Sequence, residues 1–247
     1  MTRDLSVLMP VHNEGAGVIA SLDRVFAQVS SETEVLAIYD FPEDSTVPYL
    51  EEHAKREPRL RPLLNTYGRG PARAIRFGMD EATADVVVVT MADGSDQPEQ
   101  IRALARLVQE GAVVAAASRY MCGGRQLGGP FVKSALSRLA GLTLHWFARV
   151  PIHDATSSFK GYSKPFVQTV GISSQDGFEC ALELVAKAQR LRLPMAEIPT
   201  VWRERTVGQS NFELWHWMPK YLRWYLFAFG PRRTATQLNE RWRRRHR

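Results

Sequence analysis

The chain reads as an α/β fold built on a largely parallel, doubly wound sheet, and three observations predict it. Apolar runs of strand length recur at 5–11, 34–40, 60–65, 85–92 and 112–118. Segments of helical period lie between them, and each run ends in a polar or glycine-containing turn. Strands alternating with helices are the pattern of parallel sheets covered on both faces.

Taken in order, the run 5–11 leads into a helix over 15–29, where Val18, Ile19, Leu22, Val25 and Phe26 recur at helical spacing. After the runs 34–40 and 60–65, a helix over 71–84 opens with Pro71, a residue suited to a first turn. The valine run before Asp93 is of the buried-strand type, and Pro98 opens the next helix, over 98–110. Beyond 112–118 the pattern is less regular. Helices are expected at 130–149 and 177–191, an irregular stretch at 152–162 and an extended run at 195–203. There is no internal repeat and no low-complexity linker, so 247 residues are read as one domain.

Composition bounds the function. Apolar residues make up 45% and charged residues 23%, enough to bury a core, so disorder is not expected. The two cysteines, Cys122 and Cys180, suggest neither a disulfide framework nor a cysteine metal site, which fits a reducing compartment. The first residues lead directly into a strand-like run without the long apolar region of a secretory signal, so the chain is expected not to be exported. Residues 231–247 hold seven arginines and one glutamate and carry the whole net charge of +6. Such a block reads as an attachment to an anionic surface, membrane or nucleic acid, or as a solvated end.

In doubly wound sheets ligands sit outside the carboxyl ends of the strands, and those ends are polar here. The first ends in Pro10, His12, Asn13 and Glu14, the second in Asp40 and Asp44, the third in Asn65, Gly68 and Gly70, the fourth in Asp93, Ser95 and Asp96. Two carboxylates at a strand tip can hold Mg²⁺ or Mn²⁺ against a diphosphate, because hard cations take oxygen ligands and leave part of their shell to substrate phosphates. The competing reading is that Asp93 and Asp96 cap the helix at Pro98. Asp40, Asp44 and Glu14 can accept hydrogen bonds from a nucleoside or can simply fix their own turns. The glycines at 68 and 70 can let backbone amides approach a phosphate at a helix start. Neither a dinucleotide-binding fingerprint nor a P-loop is present.

Together these segments resemble the family 2 glycosyltransferases of GT-A fold, specifically the dolichyl-phosphate mannosyltransferase and polyprenyl-phosphate glycosyltransferase branch, over roughly residues 5–215. The opening Pro10-Val-His12-Asn13-Glu14 is similar to the family's Pro-x-x-Asn-Glu, and Asp40 to Thr46 to its Asp-Asp-Gly-Ser-x-Asp-x-Thr turn. Asn65 to Gly78 is similar to its Asn-x-x-Gly-x-Gly-x-Ala-x-x-x-Gly stretch. Ser118-Arg119-Tyr120 with Lys133, Ser137 and Arg138 resembles the segment that grips the acceptor phosphate. Asp154-Ala-Thr156-Ser-Ser158-Phe-Lys160-Gly-Tyr162 resembles its Asp-x-Thr-Ser-Gly-Phe-Arg-x-Tyr block. Glu197-Ile-Pro199, with Arg205, Gly208, Ser210 and Asn211, resembles its last pair of motifs. Two positions depart: Met91 stands where the family's Asp-Ala-Asp has its first carboxylate, and Phe41-Pro42 replaces Gly-Ser on the nucleotide side.

The resemblance implies a metal-dependent, inverting transfer of a hexose from GDP-mannose or a UDP-sugar to a polyprenyl or dolichyl phosphate at the cytoplasmic face of a membrane. Pro10, His12, Asn13, Glu14, Asp40, Asp44, Asn65, Gly68, Gly70 and Asp93 would hold the donor nucleotide. Asp93, Ser95 and Asp96 would hold the metal, and Arg119, Lys133, Ser137, Arg205 and Ser210 the acceptor phosphate. Asp154 would orient Lys160 or an arginine, or contact the sugar, and so joins Asp93, Arg119, Lys133 and Arg205 as a catalytic candidate. The expected division is a transferase domain at 1–213, with a donor half at 1–115 and an acceptor half at 116–213, then an interface helix at 214–230 and the basic tail. In the stretch 214–229, 12 of 16 residues are apolar or aromatic, yet it holds Pro219, Lys220 and Arg223. It is too short to span a bilayer and suits a helix lying on one, alone or with a membrane-protein partner, and no nucleic acid is expected. The rival readings are a family 2 transferase with a soluble or non-phosphate acceptor, which needs a general base, and a nucleotide-binding scaffold without turnover.

Overall fold

A computed structural model describes residues 3–204 and 214–238. Seven strands form the main sheet, in the order β3-β2-β1-β4-β7-β5-β8. They are β1 (Leu5–Pro10), β2 (Thr33–Tyr39), β3 (Leu60–Leu64), β4 (Val86–Val89), β5 (Val114–Ser118), β7 (Lys160–Ser163) and β8 (Met195–Pro199). A parallel pair, β6 (Arg125–Leu127) and β9 (Val201–Arg203), stands apart from it.

Side chains alternate across the sheet because successive residues of a strand point to opposite faces. Val7, Met9, Val35, Ala37 and Val88 pack with helices α1 (Gly17–Phe26), α2 (Val47–Ala54) and α4 (Ile101–Gln109). Leu8, Leu36, Ile38, Val87 and Val89 share the opposite core with α3 (Pro71–Glu81), α5 (Phe131–Phe147), α6 (Lys164–Val170), α7 (Glu179–Leu191) and α8 (Leu214–Ala228). Helix α3 lies so close to the sheet that a Cβ on Gly78 would meet Ile38 Cδ1 at 2.3 Å, which accounts for that glycine by packing.

The five strands expected in the first half are present, and the sheet is mixed and mainly parallel as the α/β reading requires. Two expectations need correction. The stretch 152–162 is not wholly irregular, since its end enters β7, which runs antiparallel between β4 and β5. The extended run at 195–203 is two strands, because β8 pairs with β5 and β9 leaves the sheet to pair with β6. Helices α2 and α6 were not anticipated; each is eight residues or fewer, too short to display a periodic pattern.

The direction of β7 matters most for function. A strand running against its neighbours begins where they end, so Lys160 pairs with Val89 and Ala116 at the carboxyl-end side of the sheet. The preceding segment 154–158 is thereby delivered to the crevice in which a parallel sheet places its ligands.

Candidate active site

At the tips of β1 to β3 most of the polar residues bond to one another. Asn13 adopts a left-handed backbone, φ 53°, and its amide donates to both carboxylate oxygens of buried Asp44 at 3.1 and 3.0 Å. Asp44 also accepts the Thr46 amide at 2.8 Å, while Thr46 Oγ1 accepts the Glu14 amide at 2.9 Å. Asp44 therefore fixes the junction of the first two loops.

Asp40 accepts from Asn65 Nδ2 at 2.8 Å and from the Gly70 amide at 2.7 Å. The Gly70 amide is thus engaged by a carboxylate, which corrects the expectation that it lies open to a phosphate. The residue is glycine because its φ is 117° and a Cβ would meet the Asp176 carbonyl oxygen at 2.6 Å. Asn65 Nδ2 also donates to the Gly68 carbonyl at 2.7 Å. Phe41, at the tip of β2, lies edge-on to His12 with centroids 5.7 Å apart and carries the Arg69 guanidinium 4.9 Å above its ring. Pro10 ends β1 beside Ile38.

The turn after β4 is held in one shape. Asp96 is buried and folds back on its own strand, its Oδ2 accepting the Met91 amide at 2.9 Å and the Thr90 hydroxyl at 3.2 Å. The 3₁₀ turn at Pro98–Gln100 has Gln97 at its N-cap with no side-chain cap bond, so neither aspartate caps it. Burial, with the nearby charge of Asp93, raises the Asp96 carboxyl to about 7 against the Met91 and Thr90 bonds and the charge of Arg119. Half-buried Asp93 accepts the Ser95 amide on Oδ1 at 3.0 Å, and no hydrogen bond among the described residues engages its Oδ2. Ser95 is buried beside them. Two residues not singled out in the sequence brace this turn: Arg24 of α1 reaches the carbonyls of Gly94 and Asp96 at 3.4 Å, and Gln97 accepts the Val201 amide at 2.6 Å. Only their position across the fold marks them.

Arg119 and Asp154 centre a second hydrogen-bonded group. Arg119 follows β5, and its guanidinium grips fully buried Asp154 in a fork, Nε to Oδ2 at 2.7 Å and Nη2 to Oδ1 at 3.0 Å. The Arg119 amide donates to Oδ2 at 3.1 Å and the Ser157 amide to Oδ1 at 3.1 Å. Burial works against both charges, but their mutual attraction outweighs it, so Asp154 is lowered and Arg119 raised. Asp154 therefore orients an arginine. Ser137 of α5 donates and accepts among Arg119 Nη2 at 3.3 Å, Tyr120 Oη at 3.0 Å and Thr156 Oγ1 at 2.6 Å. With Asp154, Ser137 and Thr156 using Nε and Nη2, Nη1 has no hydrogen-bond partner among the described residues.

Lys133 precedes Ser137 by one helical turn and so shares its face of α5. Lys160 is buried, with Nζ donating to the carbonyls of Ala155 and Ser157, and desolvation lowers it to about 8. The charge of Arg119 acts on the Asp96 carboxyl, so the arginine lies within electrostatic range of the strand-tip turn. Arg203 donates its amide to the Ser95 carbonyl at 3.1 Å, so the chain leaves β9 beside that turn. Arg205 and Ser210 lie outside the described residues.

Helix α8 is part of the core and not an appendage, since Trp224 and Ala228 are buried against the other elements. Its other face is exposed and apolar at Leu222, Leu226 and Phe229. The adjoining α5, tied to it by a Tyr225–Thr143 hydrogen bond of 2.9 Å, exposes Phe131 at 84%, Trp146 at 65% and Phe147 at 73%. This second apolar face was not anticipated in the sequence. No helix among the described residues is long and apolar enough to cross a membrane.

Comparison with known proteins agrees with this architecture. The chain is 27% identical over 216 residues to the polyprenol monophosphomannose synthase of Mycolicibacterium smegmatis, covering 85% of this chain and 81% of that protein. It is also 27% identical over 244 residues to the dolichol-phosphate mannosyltransferase of Saccharomyces cerevisiae, covering 93% and 90%. Among solved structures, glucosyl-3-phosphoglycerate synthase from Mycobacterium tuberculosis, in complex with Mn²⁺, UDP and glucosyl-3-phosphoglycerate, superposes with a TM-score of 0.68 at 17% identity. That match covers 94% of this chain and 82% of the other. A mannosyltransferase from Pyrobaculum calidifontis in complex with GDP-Man and Mn²⁺ superposes at 0.60 with 16% identity, covering 91% and 63%. The mixed sheet is the GT-A fold of these enzymes, and the profile of Glycosyl transferase family 2 matches residues 6–171. The chain belongs to that family and is a glycosyltransferase.

Proposed function

We propose that this enzyme transfers a hexose, with inversion, from a nucleotide-diphosphate sugar to a polyprenyl phosphate at the cytoplasmic face of a membrane. The observation that carries the reading is the Asp154–Arg119 fork. It fixes a guanidinium beside the strand-tip turn with Nη1 still available to an anionic oxygen. The names of the relatives, which act on polyprenol and dolichol phosphates, support the same acceptor class.

The donor would lie along the tips of β1 to β4, its base against the half-buried Phe41 ring and its diphosphate toward Asp93. Among the described residues no group of three acidic, histidine or cysteine side chains forms a self-contained metal site. The residues present fit a shared one, in which Asp93 Oδ2 supplies the open carboxylate oxygen, with Ser95 and Asp96 in the same turn. Mg²⁺ or Mn²⁺ bound there would neutralise the departing diphosphate.

On the acceptor side Arg119 Nη1, with Lys133 one turn before Ser137, would hold the lipid phosphate in line with the anomeric carbon. A phosphate oxygen forms the new bond to that carbon as the bond to the diphosphate breaks. The attacking oxygen is already anionic and needs no general base. A hydroxyl acceptor would need one, and of the two candidates Asp154 is occupied as the counterion of Arg119 while Asp96 is buried and folded back on the Met91 amide and the Thr90 hydroxyl. The apolar faces of α5 and α8, together with the arginine-rich tail, support attachment to the membrane in which such an acceptor resides.

Turnover with a panel of GDP- and UDP-sugars, a polyprenyl phosphate and either metal tests the proposal. Transfer to the lipid is expected, with Asp93→Ala reducing kcat by about a hundredfold or more. Arg119→Ala should chiefly raise the KM for the acceptor. Donor binding with no transfer to any polyprenyl phosphate would sink the proposal, and full activity of Asp93→Ala would remove the metal assignment.

A further inference from the structure

Three helices end together at the edge of the acceptor half: α5 at Phe147, α7 at Leu191 and α8 at Ala228. Between their ends lies a cavity of about 260 Å³ whose wall includes Phe147, Arg149, Gln189, Arg192, Phe229 and Arg232, and no acidic residue. Its volume is below the range of about 300–1,000 Å³ usual for drug-sized ligands and suits a small polar group.

Arginines near helix C-termini commonly serve the terminal carbonyls, and that role is taken by other groups here. The Leu144 carbonyl accepts the amides of Ala148 and Val150, and the Ala148 carbonyl accepts Gln189 Nε2. The Ala188 and Gln189 carbonyls accept the amides of Leu193 and Arg192. The Phe227 carbonyl accepts Arg190 Nη1 and the Gly230 amide. No hydrogen bond or ion pair among the described residues engages the side chains of Arg149, Arg192 or Arg232. Arg149 and Arg192 also hold left-handed backbones, φ 56° and 57°, where glycine or asparagine is the usual residue. Three exposed arginines without such a partner among the described residues line one polar cavity, and their like charges favour an anion there.

The cavity adjoins the exposed apolar faces, because Phe147 and Phe229 belong both to its wall and to those faces. An anion entering it from the membrane side would leave its hydrocarbon against exposed aromatic rings. We propose that Arg149, Arg192 and Arg232 form a receptor for the phosphodiester headgroup of an anionic bilayer lipid, separate from the acceptor phosphate at Arg119. The inference rests on the membrane attachment proposed above and adds a defined lipid contact to it. A guanidinium fork matches two phosphate oxygens, and three arginines line this one cavity.

The test is co-sedimentation of the full chain with phosphatidylcholine vesicles, with and without phosphatidylglycerol. The wild type should bind more strongly when phosphatidylglycerol is present. The variant Arg149→Gly/Arg192→Gly/Arg232→Ala should lose that increment, by roughly fivefold per arginine, and keep its binding to neutral vesicles. Its melting temperature should be unchanged or raised, because glycine relieves the two left-handed positions, so unfolding would not explain the loss. Replacing the three arginines by lysine should restore only part of the increment. A glycine and alanine variant indistinguishable from the wild type, or a lysine variant fully equal to it, would overturn the receptor while leaving membrane attachment intact. Wild type that sediments with neither vesicle would defeat the membrane reading itself. Saturable calorimetric binding of inorganic phosphate without any response to phosphatidylglycerol would make the cavity a soluble-anion site and overturn the lipid assignment.

Discussion

Glu34 and Asp154 are both buried carboxylates held by an arginine, yet they sit at opposite ends of the sheet and are completed differently. At the foot, Glu34 Oε1 accepts from Ser6 Oγ at 2.6 Å and from the amide and hydroxyl of Thr83 at 2.7 Å, and Oε2 accepts from Arg61 at 2.7 Å. Arg61 also reaches the Glu81 carbonyl at 3.3 Å and its carboxylate at 3.5 Å. That cluster ties β1, β2, β3 and the turn after α3 at the foot of the sheet, away from the strand tips. At the tips, Asp154 is equally buried, and Nη1 of its arginine has no hydrogen-bond partner among the described residues. Burial and pairing therefore do not distinguish a scaffold ion pair from a site. Position does: one pair stands at the foot of the sheet and the other at the strand tips, where parallel sheets place their ligands.

Alanine at either carboxylate tests this contrast. Asp154→Ala leaves the Arg119 guanidinium buried without its counterion and should cost about 3–5 kcal/mol in denaturant unfolding, with turnover lost. Truncating Arg119 as well should recover part of that stability without recovering activity. A smaller effect, of at most about 3 kcal/mol, belongs to Lys160. Burial holds its folded-state pKa near 8, below the ordinary 10.5, so the unfolded chain binds the extra proton between those values and stability rises with pH across that window. Unfolding at pH 7 and pH 10 should show this slope in the wild type and not in Lys160→Met.

Glu34→Ala should cost about 2 kcal/mol and leave kcat and KM of the folded enzyme unchanged. Hydrogen bonds from Ser6 and Thr83 and the pairing with Arg61 outweigh burial and hold Glu34 below the usual carboxylate value. Its stabilisation is thus complete above that usual value and lost as pH falls through the folded one. A change in turnover at Glu34 equal to that at Asp154 would erase the distinction. The smallest effect is sought at Arg119→Lys, which keeps the charge and loses the fork. An acceptor KM about tenfold higher with donor KM unchanged would sharpen the assignment of Nη1 to the acceptor.

The strands of the first half could be read from sequence because each is an uninterrupted apolar run, and the strand-tip residues followed from parallel-sheet logic. Asp40 and Asp44 were visible as candidates, but their partners were not. Asn65, Gly70 and the Asn13 amide are distant in sequence, and only their meeting makes both aspartates into braces. The lysine and serine of α5 carried a motif, whereas its exposed apolar face did not stand out, because an apolar residue in a helix reads the same whether it meets a core or water.

Sequence by itself determined the α/β class, the tip at Asp93 and the family to which those motifs belong, since these depend on local runs and short spacings. Tertiary structure alone decided that β7 runs backwards between β4 and β5, which brings Asp154 to Arg119. It also decided that the ends of α5, α7 and α8 gather Arg149, Arg192 and Arg232 around one cavity. The physical reason is the same in both cases. Strand direction and helix convergence are set by how distant apolar faces pack, and a buried charge takes its meaning from the partner that packing supplies.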